Sequence, residues 1–457
     1  MTAEEWLGSD EAVEKSKRPY AHFDYRTDVG KTKNYISNPE NIVHHGFYPF
    51  IHYKQIQVKY SKEAGKEEKK RDICYAAHID RCIYQYYSFL LNELYNQRVM
   101  RDSISQVAVA YRTDLHQNNI HFAKRAIDFI CSCMPCYVMI GDFTGFFDHL
   151  DHKYLKRQWR SLLGEPQLSA DHYKVFKNIT QYSTWELFDL LELNHLKDDR
   201  AGRRELNSRS RVLTSKEYKA NSNRKHIKKN PDPFGIPQGS PISGLLANVY
   251  MLEVDKEVHN LVVSLDGLYM RYSDDFIVVI PDIGAETRQA IQQVGDIFNK
   301  TDGLTLAPNK TQYFRFENQK LENVGSSFGI PIENQKRFIN FLGFTFDGKT
   351  VSIRAKTTAK YYHRMYKKAK TIRNSGGYTP NGKHISAQNL FGLYSDQGAH
   401  GCWIKEKGGK YVWHTGNYLT YIQRAKNVFG ENQSIERDTK RHRQKIQKAL
   451  KKQLKQS

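Results

Sequence analysis

Two apolar runs meet at a pair of aspartates. Leu268-Tyr269-Met270 leads into Tyr272-Ser273-Asp274-Asp275, and Phe276-Ile277-Val278-Val279-Ile280 follows. β-Branched and aromatic runs of that length predict two strands, and the polar Ser-Asp-Asp between them predicts a tight hairpin turn. Two buried strands joined in this way push two carboxylates into one small volume. Adjacent like charges raise each other's pKa and are costly unless cations hold them, so the pair points to a divalent metal. Asp-Asp in a turn is also ordinary turn chemistry, and the reading depends on what accompanies it.

Upstream, Tyr137-Val138-Met139-Ile140-Gly141-Asp142 is an apolar run ending at an aspartate, followed by the aromatic turn Phe143-Thr144-Gly145-Phe146-Phe147-Asp148. A third carboxylate at a strand end is what a two-metal site still lacks. In two-metal phosphoryl transfer the ions sit about 3.5–4 Å apart, one activating the attacking hydroxyl and one stabilising the leaving group. Magnesium keeps several waters and takes few protein carboxylates, so three aspartates suffice. Between the strands lies Gly235-Ile236-Pro237-Gln238-Gly239-Ser240-Pro241-Ile242-Ser243, then the apolar run 244–251. Pro and Gly break the backbone into a loop, and a helix is predicted to start at Ser240 or Ser243.

These segments, in this order, resemble the polymerase core of reverse transcriptases over roughly residues 105–350. The resemblance implies an α/β (α+β) right-hand polymerase with fingers, palm and helical thumb. Its divisions would be 1–104, an N-terminal and fingers region; 105–350, the fingers and palm core; and 351–457, a helical basic thumb and C-terminal region. It implies Asp142, Asp274 and Asp275 as catalytic, metal-binding carboxylates for two Mg2+ ions, with the Phe143 backbone carbonyl as an extra ligand. Phe147 matches the bulky residue that blocks a ribose 2′-hydroxyl, and Gln238 matches the glutamine beside the incoming nucleotide. Gly303-Leu304-Thr305-Leu306-Ala307-Pro308-Asn309-Lys310-Thr311 resembles a family segment that places Lys310 near the triphosphate. Tyr111-Arg112 and the stretch 119–128 resemble the fingers motif, with Arg112 a candidate phosphate contact. Phe341-Leu342-Gly343-Phe344 resembles the hairpin that grips the primer end. Each assignment has an ordinary rival: Phe147 as palm core, Gln238 as a turn residue capping backbone, Lys310 as a surface lysine.

Two departures stand out. Ser273 occupies a position held by alanine or methionine in many relatives. Gly141 precedes the first aspartate where an apolar or acidic residue is usual, and extra backbone freedom is its expected contribution. Asp148 and Asp151 follow the aromatic turn and are expected to cap a helix beginning near His152, not to bind metal.

A chain of 457 residues predicts two or three packed subdomains. Its formal charge of +21 calls for a polyanionic partner, because excess positive charge opposes compaction unless phosphates meet it. Residues 197–229 carry twelve Lys or Arg against four Asp or Glu with almost no apolar periodicity, which predicts a mobile insertion ordered by RNA or simply solvated. The tail 435–457 has nine basic and two acidic residues, with Ile446, Leu450 and Leu454 at a spacing of four, a pattern for a basic amphipathic helix. Helical spacing also predicts long helices over 70–100, 169–193 and 356–373. Tyr361, Tyr362 and Tyr366 on the last are candidates for base stacking or for core packing. No stretch has the length of a membrane span, and the acidic start is unlike a signal peptide. Cys131, Cys133 and Cys136 form the only cysteine cluster, with no second cluster to complete a zinc site. Reduced cysteines and a cytoplasmic location are expected.

Tyr111-Arg112, Asn119-Asn-Ile-His-Phe-Ala-Lys and the segment 341–354 most resemble bacterial antiphage reverse transcriptases of the abortive-infection and defence-associated group, relatives of the retron and group II intron enzymes. That resemblance implies an RNA-directed DNA polymerase that copies an associated structured non-coding RNA into DNA from dNTPs, in antiphage defence, with no membrane partner. Template-independent or protein-primed DNA synthesis by the same site, and a non-catalytic maturase-like RNA-binding protein, are its rivals. An RNA-dependent RNA polymerase would share the palm, but a bulky Phe147 and a Tyr-x-Asp-Asp turn favour DNA as product. Nothing in the sequence sets the oligomeric state.

Overall fold

The computed structural model describes every residue except 62–64, 380, 381, 383, 401, 406–410, 415, 431, 432 and 452–457. The chain forms two units. One comprises Met1–Tyr111, Phe143–Leu261 and Gln293–Ala307; the other comprises Arg112–Asp142, Val262–Gln292 and Pro308–Ser457.

The second unit is built on a five-stranded sheet. Its strands are β1 (Cys136–Asp142), β2 (Leu268–Tyr272), β3 (Asp275–Pro281), β4 (Gln312–Glu317) and β5 (Lys320–Asn323). They run in the order β2-β3-β1-β4-β5, antiparallel throughout. All seven residues of the central strand β1 are buried, which is why its sequence is a near-continuous apolar run and does not alternate. Gly141 has a packing reason. It pairs with Phe276 across β3, and a Cβ placed on it would lie 2.4 Å from that ring's Cζ. Its backbone is not in the left-handed region, so close approach, and not conformational freedom, requires glycine there. Gly141→Ala is expected to cost about 1–3 kcal/mol through overpacking, read as a lowered urea midpoint with an unchanged m-value.

A three-stranded meander follows, β6 (Ile339–Phe341), β7 (Phe344–Phe346) and β8 (Val351–Ile353). Its first turn has positive φ at both Leu342 (46°) and Gly343 (93°), the signature of a type I′ hairpin. The predicted basic helix runs Ala355–Ser375 and packs on helices Ala387–Tyr394 and His442–Lys451. Tyr361, Tyr362, Met365, Leu390 and Ile446 are buried together in that core. The hydroxyls of Tyr361 and Tyr362 donate to the carbonyls of Tyr394 (2.7 Å) and Asp438 (3.0 Å). Those two tyrosines are core residues, and only Tyr366, 48% exposed, is left for stacking. In the tail the stripe residue Ile446 is buried and Leu450 partly so, while Leu454 lies outside the described residues.

In the first unit the hairpin Phe50–Ser61/Gly65–Tyr75 pairs through Phe50–His52 with the strand Ser183–Glu186, which pairs in turn with Ile227–Lys229. Two predicted helices are corrected here. The long one begins at His78 and ends at Arg101, because residues 65–75 are strand: 66–72 are all charged, and antiparallel pairing with 51–61, not any periodicity of their own, sets their conformation. The one predicted over 169–193 is interrupted by Ser183–Glu186, where sheet pairing with Phe50–His52 overrides helical spacing. The predicted mobile insertion is likewise folded. Helices Arg200–Ser208 and Ser215–Asn221 lie within it, and Leu206, Val212 and Leu213 join Trp185, Ile51 and Leu190 in one buried cluster. Among the described residues, no helix is long and apolar enough to cross a membrane.

Candidate active site

Asp142 ends β1 and Asp275 opens β3, and the register of the sheet places them directly opposite each other. Asp274 occupies the intervening two-residue turn, since Tyr272 pairs with Asp275 across β2 and β3. Ser273, first in that turn, has φ +60°, a backbone state open to a small polar residue at modest cost. The turn is pinned from within. Arg271 is fully buried and its guanidinium donates to the Ser273 carbonyl at 2.8 Å.

Three carboxylates so placed repel one another. Burial pushes the Asp275 carboxyl up to about 6, and the charges of Asp274 and then Asp142 add to the shift, with Lys310 and Arg354 partly offsetting it. Asp275 keeps an open edge to solvent, which moderates the penalty. Lys310 forms an ion pair with the Asp142 carboxylate. Lys336 has its ammonium pKa lowered, first by burial and then by the charges of Arg354 and Lys310, with Asp142 acting the other way. The three acids therefore lie within a frame of cations, of which Arg354 and Lys336 were not anticipated as site residues. Arg354 follows β8 directly, and its backbone N–H donates to Gly343 at 3.0 Å.

Among the described residues no three His, Cys, Asp or Glu side chains gather closely enough to cage a metal ion. The Asp142 carboxylate is instead paired with Lys310. The donor set still fits magnesium, which binds through one or two carboxylates plus waters and substrate phosphates and needs no all-protein cage. A carboxyl held above its usual range by burial and by two like charges is stabilised in its ionised form by a divalent cation placed between them.

A pH dependence follows. Metal binding requires the carboxylates deprotonated, so the Mg2+ concentration for half-maximal activity is expected to rise below about pH 6, approaching tenfold per pH unit if one proton is displaced. Magnesium titrations between pH 5 and pH 7.5 check this, and a flat requirement would remove Asp275 from the site. With no metal bound, the raised Asp275 pKa means the folded state holds that proton more tightly than the unfolded state. Its contribution to stability therefore falls as pH rises from about 4 to about 6.

The first unit carries the other residues singled out by sequence. Gly145, at φ +55°, leads into the short helix Phe146–His149. Phe146 is buried there, whereas Phe147 is half-buried and meets it edge-on at 5.5 Å. The Pro-Gln-Gly loop is laced to this turn: Ile236 N–H donates to Phe147 O and Gly235 N–H to Leu150 O, both at 2.9 Å. The Gln238 side chain caps no backbone group. Its Nε2 donates to Asp148 Oδ1 at 3.1 Å. Asp148 is thus a partner of Gln238 and not a helix cap, while Asp151 does cap the helix His152–Leu163 through Tyr154 N–H at 2.7 Å. The helix after the loop starts at Ser243.

In the second unit Arg112 is turned inward. It is 6% exposed, and its guanidinium donates twice to Asp114, at 2.8 and 2.6 Å, so it is engaged and not offered to a phosphate. The Phe341–Phe344 hairpin is fixed at its turn by Asn119, whose Nδ2 donates to Leu342 O at 3.0 Å.

Among curated proteins none matches this sequence. Solved structures that resemble it include apo telomerase from Candida tropicalis truncated from its C-terminal domain, at 12% identity and TM-score 0.39 over 72% of this chain and 60% of that one. A second structure of apo telomerase from the same organism matches at 12% and 0.38 over 77% and 59%. Telomerase from Candida albicans, in complex with a fragment of telomeric RNA, matches at 14% and 0.36 over 81% and 61%. The chain thus spans about three fifths of the length of these telomerases. A family model described as reverse transcriptase (RNA-dependent DNA polymerase) matches residues 60–346. That stretch is more than half of the chain and holds the strand ending at Asp142, the Pro-Gln-Gly loop, the Asp274-Asp275 turn and Lys310 within the mixed α/β fold of a right-hand polymerase. By that match the chain belongs to the reverse transcriptase (RNA-dependent DNA polymerase) family.

Proposed function

We propose that the chain is an RNA-directed DNA polymerase, a nucleotidyltransferase that copies a structured non-coding RNA into DNA and serves antiphage defence. The observation that carries the catalytic part is the sheet register that sets Asp142 against Asp275 with Asp274 in the adjoining turn. These aspartates, with the backbone carbonyl of Phe143, would hold two Mg2+ ions. Bound there, magnesium would supply Lewis-acid activation of the primer 3′-hydroxyl and charge stabilisation on the departing pyrophosphate.

The chain's own groups do the positioning. Lys310, which neutralises Asp142 through an exposed ammonium, is free to turn to a triphosphate once Asp142 has another cation. Phe147 excludes the 2′-hydroxyl and so selects deoxynucleotides, and Gln238 lies beside the incoming nucleotide. Template and product duplex would be gripped through phosphates by the basic helices Ala355–Ser375 and His442–Lys451, by A-form shape and not by base sequence. The formal charge of +21 supports such a partner. The antiphage assignment draws on the likeness of the segments 111–112, 119–125 and 341–354 to defence-associated enzymes. The cysteines Cys131, Cys133 and Cys136 are free, which suits a reducing cytoplasm.

Sequencing the nucleic acids that copurify with wild type and with an Asp274→Asn/Asp275→Asn double variant tests this. One enriched RNA with complementary DNA in the wild type alone is the expected result. DNA without a complementary RNA would replace templated copying with untemplated or protein-primed synthesis. RNA in both samples and DNA in neither would favour a maturase-like binding protein.

A further inference from the structure

We propose that Asp148 is a positioning residue for nucleotide binding: its carboxylate fixes the orientation of the Gln238 amide so that the amide oxygen is presented to a hydrogen-bond donor on the incoming deoxynucleotide. The inference rests on the polymerase reading above and adds to it a residue that binds neither metal nor substrate.

The backbone around Gln238 is already fixed. Its carbonyl accepts from Cys74 N–H at 2.8 Å, and Pro237 O accepts from the Ser243 hydroxyl at 2.7 Å. Gly239, at φ +116°, lies so close to Cys74 that a Cβ on it would be 2.3 Å from that residue's carbonyl oxygen. The remaining freedom is in the side chain, and above all in which end of the amide faces which way. An ionised carboxylate only accepts, so Asp148 Oδ1, 3.1 Å from Gln238 Nε2, admits the NH2 end alone. The amide oxygen is left pointing away, with no hydrogen bond to it among the described residues. Asp148 and Gln238 together line a cavity of about 300 Å³. Desolvation in that wall raises the Asp148 pKa, and the Gln238 hydrogen bond offsets part of the rise, so the bond itself favours the ionised carboxylate.

Asp148 also sits one residue after Phe147, whose carbonyl accepts from Ile236 N–H in the same loop. Sugar exclusion and nucleotide contact are thereby set by one laced segment, and a shift at Asp148 would be felt at Gln238 first.

The test is a double-mutant cycle on the full chain. Asp148→Leu is expected to raise the KM for dNTP about tenfold with kcat changed less than about threefold, the scale of one hydrogen bond. Asp148→Asn keeps an acceptor and should restore KM to within about twofold to threefold. In a Gln238→Ala background, Asp148→Leu should add nothing, because the group it positions is gone. Multiplicative losses in the double variant, or an Asp148→Asn no better than Asp148→Leu, would assign Asp148 to loop stability and overturn the proposal. Thermal stabilisation of the same four proteins by dATP and MgCl2, without primer or template, gives a second readout. If wild type binds dATP but makes no DNA, the polymerase reading fails while the cycle is still read from binding. If dATP stabilises neither wild type nor variants and no DNA forms, both are overturned.

Discussion

Asp275→Asn is expected to abolish nucleotide incorporation, by about a thousandfold or more, and to leave the chain folded. The argument is electrostatic. Asp275 opens β3 opposite Asp142, and its carboxyl is pushed up to about 6 by burial and by the charges of Asp274 and Asp142. A group in that position opposes the apo fold and has no packing duty that asparagine, of nearly the same shape, could not meet. Removing its charge relieves repulsion, so the melting temperature without metal should hold or rise. On the proposed mechanism catalysis would need the same charge, because phosphoryl transfer asks the protein for little except positioning and charge stabilisation. A metal contribution of about 4 kcal/mol corresponds to roughly a thousandfold in rate. Asp274→Asn should behave alike. Asp142→Asn should lose activity as completely but also release Lys310, which pairs with it. Single-nucleotide incorporation beside a thermal melt separates the outcomes: activity kept above a few per cent sinks the metal assignment, and activity lost together with the melt shows only that the strand end was structural.

The part of this site that was legible in the sequence is the part encoded locally. Strand β1 is buried throughout and β3 from Phe276 to Ile280, so they read as apolar runs, and an aspartate ending one or opening the other is conspicuous against them. The hairpin between β2 and β3 was equally plain, because only two residues separate them. What stayed hidden is non-local. Asp142 and Asp275 are opposed by a strand register that no nearby residue encodes, and Lys310 and Arg354 reach the cluster from β4's leading loop and the end of β8. The insertion at 197–229 looked solvated because Leu206, Val212 and Leu213 lie among charges at irregular spacing. They become core only beside Trp185 and Ile51, which tertiary pairing brings to them. The interruption of the helix predicted over 169–193 has the same origin. Arg112 is a different case: its partner Asp114 stands two residues on, so its engagement is encoded locally.

Phe147→Ala carries the second large effect, on sugar selection. The residue before it, Phe146, is buried and supplies the packing at this turn; Phe147 is only half-buried, and its backbone is held by Ile236 N–H at 2.9 Å. A ring that is not required by the core, on a backbone that cannot drift, is suited to blocking a small group at a fixed distance. Cutting it back to a methyl leaves room for a hydroxyl. Discrimination between dCTP and CTP, taken as the ratio of kcat/KM on one template, should fall by about 10–200-fold, the span available to a steric contact of one or two atoms. Efficiency with dCTP itself should drop only a few fold, because the deoxy sugar never used the blocked space. Stability should fall by about 1–2 kcal/mol, less than the 3–5 kcal/mol of a fully buried phenylalanine. Phe147→Tyr separates shape from packing, since it keeps the ring and should keep the discrimination. An unchanged ratio in Phe147→Ala, accompanied by a larger loss of stability, would make Phe147 a palm core residue and leave deoxynucleotide selection to be sought elsewhere along the aromatic turn.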